Sequence, residues 1–139
     1  MVEESIALHK KRAMVLQNKK AIVSLMGPTA SGKTDLAFFL CDHFPFEIVS
    51  VDSALVYIGM NIGAAKPTLV QQARYPHHLI DLCHVIEPFS VSHFCEAALG
   101  VIDAIHQRGK IPLLVGGTML YFKGLFQGLS PMPGKDEGI

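Results

Sequence analysis

The chain has 139 residues, 50% of them hydrophobic and 17% charged, with twelve acidic residues balancing twelve basic ones. That size suits one compact globular domain and excludes two. No apolar stretch approaches the ~20 residues that a bilayer span needs, and the N-terminal stretch lacks an h-region and a cleavage site, so a cytoplasmic protein with no membrane partner is expected.

Residues 1–20 read as a solvated, partly disordered tail. They carry Lys10, Lys11, Arg12, Lys19 and Lys20 against only Glu3 and Glu4, and such a basic segment can also touch RNA. Residues 21–139, read as the folded core, are left with seven basic and ten acidic residues, which is no footprint for a polyanion. Cys41, Cys83 and Cys95 lack C-x-x-C spacing and read as reduced core thiols. His77-His78 and Cys83-His84 lack zinc-ligand spacing backed by a second pair, so no metal is expected there.

Ala21-Ile22-Val23-Ser24-Leu25-Met26 is apolar and short enough for a buried parallel strand. It feeds Gly27-Pro28-Thr29-Ala30-Ser31-Gly32-Lys33-Thr34, which spells G-x-x-x-x-G-K-T. In this motif the glycines let backbone N–H groups turn inward around a phosphate, the Lys adds a point charge, and the Thr hydroxyl can ligate Mg²⁺. Thr34 to His43 reads as a helix whose N-terminal dipole serves the same anion, and Pro45 stops it. The loop alone does not say which phosphorylated ligand it holds.

Glu47 to Asp52 reads as a second strand that delivers Asp52 at its carboxyl end, where parallel sheets bind their ligands. Ser53 to Pro76 loses any long period, apart from one helical turn at 53–57, and reads as a loop-rich insertion over the site. His78 to Leu82 reads as a short strand. After a cap at Ser90 or Ser92, Val91, Phe94, Cys95, Ala98, Ile102 and Ile105 recur at helical spacing, and Gly109 closes that helix. Lys110 to Val115 reads as a strand with Pro112 near its start. It ends in Gly116-Gly117-Thr118, where the usual P-loop plan has a metal-holding aspartate. Asp52 is therefore the acid best placed for the loop, with Asp81 a weaker candidate. Met119 to Phe126 reads as a last helix ended by Gly128. The alternation predicts an α/β fold of the P-loop NTPase-like kind, a parallel sheet flanked by helices. The turn-rich segment from Pro131 to Ile139 brings no closing element, so the fold is expected to be incomplete at the C-terminus.

Beyond the phosphate loop, Ser50-Val51-Asp52-Ser53-Ala54-Leu55-Val56-Tyr57, Gly59-Met60-Asn61-Ile62-Gly63-Ala64-Ala65-Lys66-Pro67 and Val115-Gly116-Gly117-Thr118-Met119-Leu120-Tyr121 follow in order. With them the chain resembles the tRNA dimethylallyltransferases over about Ala21 to Pro133. The resemblance implies transfer of a dimethylallyl group from dimethylallyl diphosphate to the exocyclic amine of the adenosine beside the anticodon, with tRNA presented as its anticodon stem-loop. It assigns Asp52 the role of general base and places Asp52, Ser53, Ala54, Leu55 and Thr118 along the tRNA contact. A strand-end acid that only ligates Mg²⁺ through water is the alternative for Asp52. An ordinary N-cap is the alternative for Thr118. Gly116 and Gly117 either let RNA approach the backbone or form a simple turn.

The family continues well beyond 139 residues, so this chain is expected to be truncated, monomeric and inactive alone. Two other functions fit the loop: a small-molecule or nucleotide kinase that binds ATP, and a non-catalytic fragment that only binds diphosphate.

Overall fold

The computed structural model describes residues 20–28, 32–59, 66–84 and 89–127. Four strands form one sheet: β1 (Val23–Met26), β2 (Phe46–Ser50), β3 (His77–His78) and β4 (Ile111–Gly116). Every pairing is parallel and the spatial order is β1-β4-β2-β3, so β4 lies between the strand before the glycine-rich loop and the strand before Asp52. The expected parallel α/β architecture is the one observed. The tail over 1–19, the turn at Gly128 and the segment from Pro131 lie outside the described residues.

Side chains alternate across the pleat, so neighbours in a strand serve opposite layers. Ile48 and Leu113 join Ala37 under helix α1 (Lys33–His43), while Val49 and Leu114 face the other way. There they meet helices α3 (Val91–Gln107) and α4 (Met119–Gln127) through Phe94, Leu99, Ile102, Tyr121 and Leu125. Each fully buried Leu or Ile contributes about 1.5–3 kcal/mol, so this second layer carries most of the apolar stabilisation.

The helix expected from Val91 onward is capped by Ser90, whose Oγ accepts from the His93 amide at 3.1 Å while His93 Nδ1 accepts from the Ser90 amide at 3.2 Å. At its other end Gly109 donates to His106 O and Lys110 to Ile105 O, which satisfies two carbonyls the helix leaves unpaired. His106 is buried and donates from Nε2 to Ala21 O at 2.9 Å, tying this helix to the approach to β1.

The loop-rich segment over 53–76 contains a helix with no apolar period of its own, α2 (Leu69–Arg74), opened by a capping box in which Thr68 and Gln71 exchange side-chain-to-backbone bonds. One expectation needs correction. The strand expected over 78–82 stops at His78, because Leu79 and Asp81 adopt left-handed backbone with φ 69° and 57°. The chain there turns out of the sheet, and Asp81, Leu82 and Cys83 donate their amides to the carbonyls of Leu55 and Val56. That strap fastens the turn after Asp52 to the rest of the molecule. Among the described residues, no helix is long and apolar enough to cross a membrane.

Candidate functional site

The carboxyl ends of β1, β4 and β2 lie side by side, and the described residues among the expected site residues follow those ends. Gly27 donates its amide to Gly116 O at 3.2 Å, Val51 to Val115 O at 2.9 Å, and Thr118 to Val51 O at 3.3 Å. Gly116 has no room for a side chain: a Cβ would stand 2.0 Å from Val51 O. At Gly117 it would stand 2.8 Å from Gly27 O. The close backbone approach anticipated at these glycines is therefore made to the chain's own backbone. With neighbouring strands ~4.8 Å apart, the stretches that flank β4, Gly27 and Val51, are held roughly 10 Å apart.

Of the phosphate-loop residues, Gly32 is the N-cap of α1 with φ 84°, a left-handed conformation that favours glycine. Lys33 opens the helix, and its Nζ donates to Pro28 O at 2.6 Å, so the ammonium folds over the start of the loop. Thr34 follows at the exposed helix end. Thr29, Ala30 and Ser31 lie outside the described residues.

Asp52, half-buried, sits two residues beyond β2. Its Oδ1 accepts from the amides of Ala54 at 2.8 Å and Leu55 at 3.2 Å, which folds residues 53–56 into a turn. The amide of Ser53 donates to Thr118 Oγ1 at 2.9 Å, and the Thr118 hydroxyl reaches Ser53 Oγ at 3.4 Å. The Thr118 carbonyl starts α4 by accepting from Tyr121 and Phe122, so this residue opens the helix through its backbone and anchors Ser53 through its side chain. Burial pushes the Tyr121 phenol up, and the neighbouring Tyr57, Cys83, Asp52 and Cys95 add to the effect. Asp81, the weaker acid, is ion-paired with Lys66 and has no such place.

Beside Thr34 opens a mainly apolar cavity of about 50 Å³ between α1 and the edge of the sheet. Ser50, Leu55, Phe38 and His77 are among the residues that line it. Sequence reasoning did not find this cavity, because its walls come from α1, β2, β3, β4 and the segment around Pro67 and no local pattern joins them.

Among the described residues, no three of His, Cys, Asp and Glu gather as a metal-binding group. The Thr34 hydroxyl is a hard oxygen of the kind Mg²⁺ takes, and that ion commonly completes its shell with phosphate oxygens and water. The donor set fits Mg²⁺ brought with a phosphorylated ligand.

A parallel four-stranded sheet flanked by helices, with a glycine-rich segment and a carboxylate at the carboxyl ends of its strands, defines an α/β protein. The profile of the IPP transferase family matches residues 55–139, more than half of the chain, and the chain belongs to that family. It is 56% identical over 117 residues to the tRNA dimethylallyltransferase of Ralstonia pickettii, covering 84% of this chain and 36% of that protein. It is 54% identical over 125 residues to the tRNA dimethylallyltransferase of Acinetobacter baumannii, covering 89% and 40%. The structure of a tRNA isopentenylpyrophosphate transferase from Bacillus halodurans superposes with a TM-score of 0.77 at 42% identity, over 83% of this chain and 38% of the other. A eukaryotic dimethylallyltransferase acting on tRNA gives 0.72 at 29% identity, over 84% and 31%. The chain thus spans less than half the length of these relatives.

Proposed function

We propose that this chain is the diphosphate-gripping core of a cytoplasmic, monomeric enzyme that transfers a dimethylallyl group from dimethylallyl diphosphate to the exocyclic amine of the adenosine beside the tRNA anticodon. The observation that carries the reading is the Asp52 carboxylate, held beyond β2 by the Ala54 and Leu55 amides, two strands across from the glycine-rich loop. The 56% identity to the R. pickettii protein supports it.

In this reading the loop amides and Lys33 bind the diphosphate, with the ammonium exchanging Pro28 O for a phosphate oxygen. Mg²⁺, held by Thr34 and the diphosphate, would neutralise charge on the leaving group. The amine nitrogen forms a bond to the first carbon of the dimethylallyl group, the carbon–oxygen bond breaks, and diphosphate departs with the electron pair. Asp52 takes the amine proton. Its Oδ1 is already bound by two amides, which orients Oδ2 for that proton; positioned proton transfer of this kind is worth ~10²- to 10⁴-fold in rate. Ser53, Ala54, Leu55 and Thr118 lie along the path of the anticodon loop, whose adenine must leave its stack to reach the carboxylate.

Isothermal titration with dimethylallyl diphosphate and with ATP, each with Mg²⁺, tests the loop. Tighter binding of the prenyl ester is expected, and tighter binding of ATP favours a kinase. Chemistry is tested in a chimaera in which the aligned residues of this chain replace the 117-residue stretch they match in the R. pickettii protein. Prenylation of an anticodon stem-loop is expected; a folded chimaera that binds the diphosphate and the RNA yet transfers nothing overturns the catalytic reading.

A further inference from the structure

We propose that Lys66 and Asp81 are positioning residues for Asp52: their ion pair locks the strap over residues 79–83 against the turn that carries the carboxylate. The inference rests on the reading of Asp52 as the base given above. Two residues of the strap are strained, Leu79 with φ 69° and Asp81 with φ 57°. Left-handed backbone is unfavourable for a residue with a Cβ, most tolerable for Asn and Asp, and it persists only where surrounding contacts over-determine it. Such positions cluster at working sites.

Both residues are held by their side chains. Leu79 is buried in the core cluster with Val49 and Val51. Asp81 is held by Lys66, whose Nζ donates to its Oδ1. The Lys66 side chain is only 11% exposed, and a lysine that far from water is ordinarily kept for a partner, because its charge is costly to desolvate. Lys66 is in turn anchored at the entry to α2. Pro67 O accepts from Gln72 Nε2 at 3.0 Å, and Thr68 caps the helix. At the other end of α2, Arg74 and Tyr75 donate to Asp42 Oδ1 of α1 at 3.1 and 3.0 Å.

From the strap the path to Asp52 runs through one residue. Asp81 donates its amide to Leu55 O at 2.9 Å, and Leu55 donates its own amide to Asp52 Oδ1 at 3.2 Å. Leu82 and Cys83 donate to Val56 O at 2.6 and 3.1 Å, and Ile58 returns a bond to Cys83 O at 2.8 Å. The Thr118 contacts reach Val51 and Ser53, on either side of the carboxylate. The far half of the turn, Leu55 and Val56, takes its place from the strap. Relaxing the strap moves Leu55 and with it the carboxylate, and a misplacement of about 1 Å at a reacting group can cost about 10²-fold in rate.

The test is steady-state prenyl transfer to the anticodon stem-loop by the chimaera described above. Asp81→Asn keeps the size and the tolerance for left-handed backbone while removing the charge, and Lys66→Met keeps the apolar stem. Each is expected to lower kcat at least tenfold with KM for dimethylallyl diphosphate within twofold, because the glycine-rich loop is untouched. Lys66→Arg is expected to keep kcat within threefold. In an Asp52→Asn background, Asp81→Asn is expected to cost less than a further twofold, since a residue that acts through Asp52 then has nothing left to position. An equal loss in both backgrounds makes the pair a general support of the fold and overturns the inference, as does an unchanged kcat in folded Asp81→Asn and Lys66→Met. A Lys66→Met chimaera that loses only affinity for the stem-loop also overturns it, by assigning the ammonium to RNA. If Asp52→Asn alone transfers at the parent rate, the reading of the base fails and the inference with it. Hydrogen exchange on the unsubstituted chain decides the matter where a variant does not fold: the Leu55 and Asp81 amides are expected to open as one unit, with protection within tenfold of each other. A wider gap means that the strap opens without the turn, and overturns the inference.

Discussion

The amide of Ser53 donates to the Thr118 hydroxyl at 2.9 Å, joining the residue after the candidate base to the start of a helix 65 positions later. Thr118 also donates its own amide to Val51 O. The stretch that carries Asp52 is thus gripped on both sides by one residue, and the carboxylate inherits its place from that grip.

Thr118→Val keeps the shape and removes the acceptor. A net loss of about 1 kcal/mol is expected, the ordinary worth of one hydrogen bond, read as a lower midpoint in urea. Thr118→Ser is expected to recover most of it. A valine variant with unchanged stability would remove this hydrogen bond from the support of the fold.

Gly116→Ala is a harsher change. Its Cβ would lie 2.0 Å from Val51 O, and backbone in the middle of a sheet cannot yield as a flexible side chain does. Overpacking usually costs 1–3 kcal/mol, and the upper end or beyond is expected here. Gly117→Ala, with 2.8 Å to Gly27 O, is expected to cost less. Equal denaturation midpoints for the two variants would contradict the closeness of β4 to Val51.

How much of this was legible in the sequence depends on the range of the interaction. The long helix α3 was, because Phe94, Cys95, Ala98 and Ile102 repeat at its own period and Ser90 and Gly109 mark its ends. The strand before the glycine-rich segment and the helix after it were, since each carries its own local pattern. Helix α2 was missed: its six residues include Leu69 and Val70 at 83% and 80% exposure, so no apolar face repeats, and only the Thr68 to Gln71 spacing marked it. The end of β3 was also hidden, because left-handed backbone at Leu79 and Asp81 is imposed by partners at Leu55 and Val56 rather than by local residue type. At the site, Asp52 and Thr118 were found as residues, while their linkage through Ser53 belongs to tertiary structure alone.

A further case of that kind sets the acid limit of the fold. Glu47, buried at the start of β2, accepts from Arg108 Nε at 3.1 Å and Nη2 at 2.7 Å, and from His78 Nε2 at 2.8 Å. The Arg108 guanidinium, with help from His78 and against the penalty of burial, holds the carboxyl below its usual value. A carboxylate whose folded value is depressed stabilises the fold above its unfolded value, and that contribution is lost as pH falls through the folded one. Stability is therefore expected to decline below about pH 4.3, the ordinary Glu value, as protons enter. Glu47→Gln is expected to cost about 1.5–3 kcal/mol at pH 7 and to flatten the acid limb. A variant whose midpoint tracks that of the parent at every pH would remove Glu47 from this role.

The last prediction concerns Asp52 itself and separates chemistry from architecture. Its Oδ1 accepts from Ala54 and Leu55, and an asparagine retains that oxygen, so the turn over 53–56 is expected to survive Asp52→Asn with stability within ~0.5 kcal/mol. Diphosphate affinity is expected to stay within a few-fold, since the loop and Lys33 are untouched. Prenyl transfer by the chimaera is expected to fall at least 10²-fold, because an amide cannot take the amine proton. If affinity falls with transfer and higher Mg²⁺ restores both, the carboxylate serves the ion through water rather than the amine. If transfer is unchanged, Asp52 is not the base, and the proton must leave by another group at this end of the sheet.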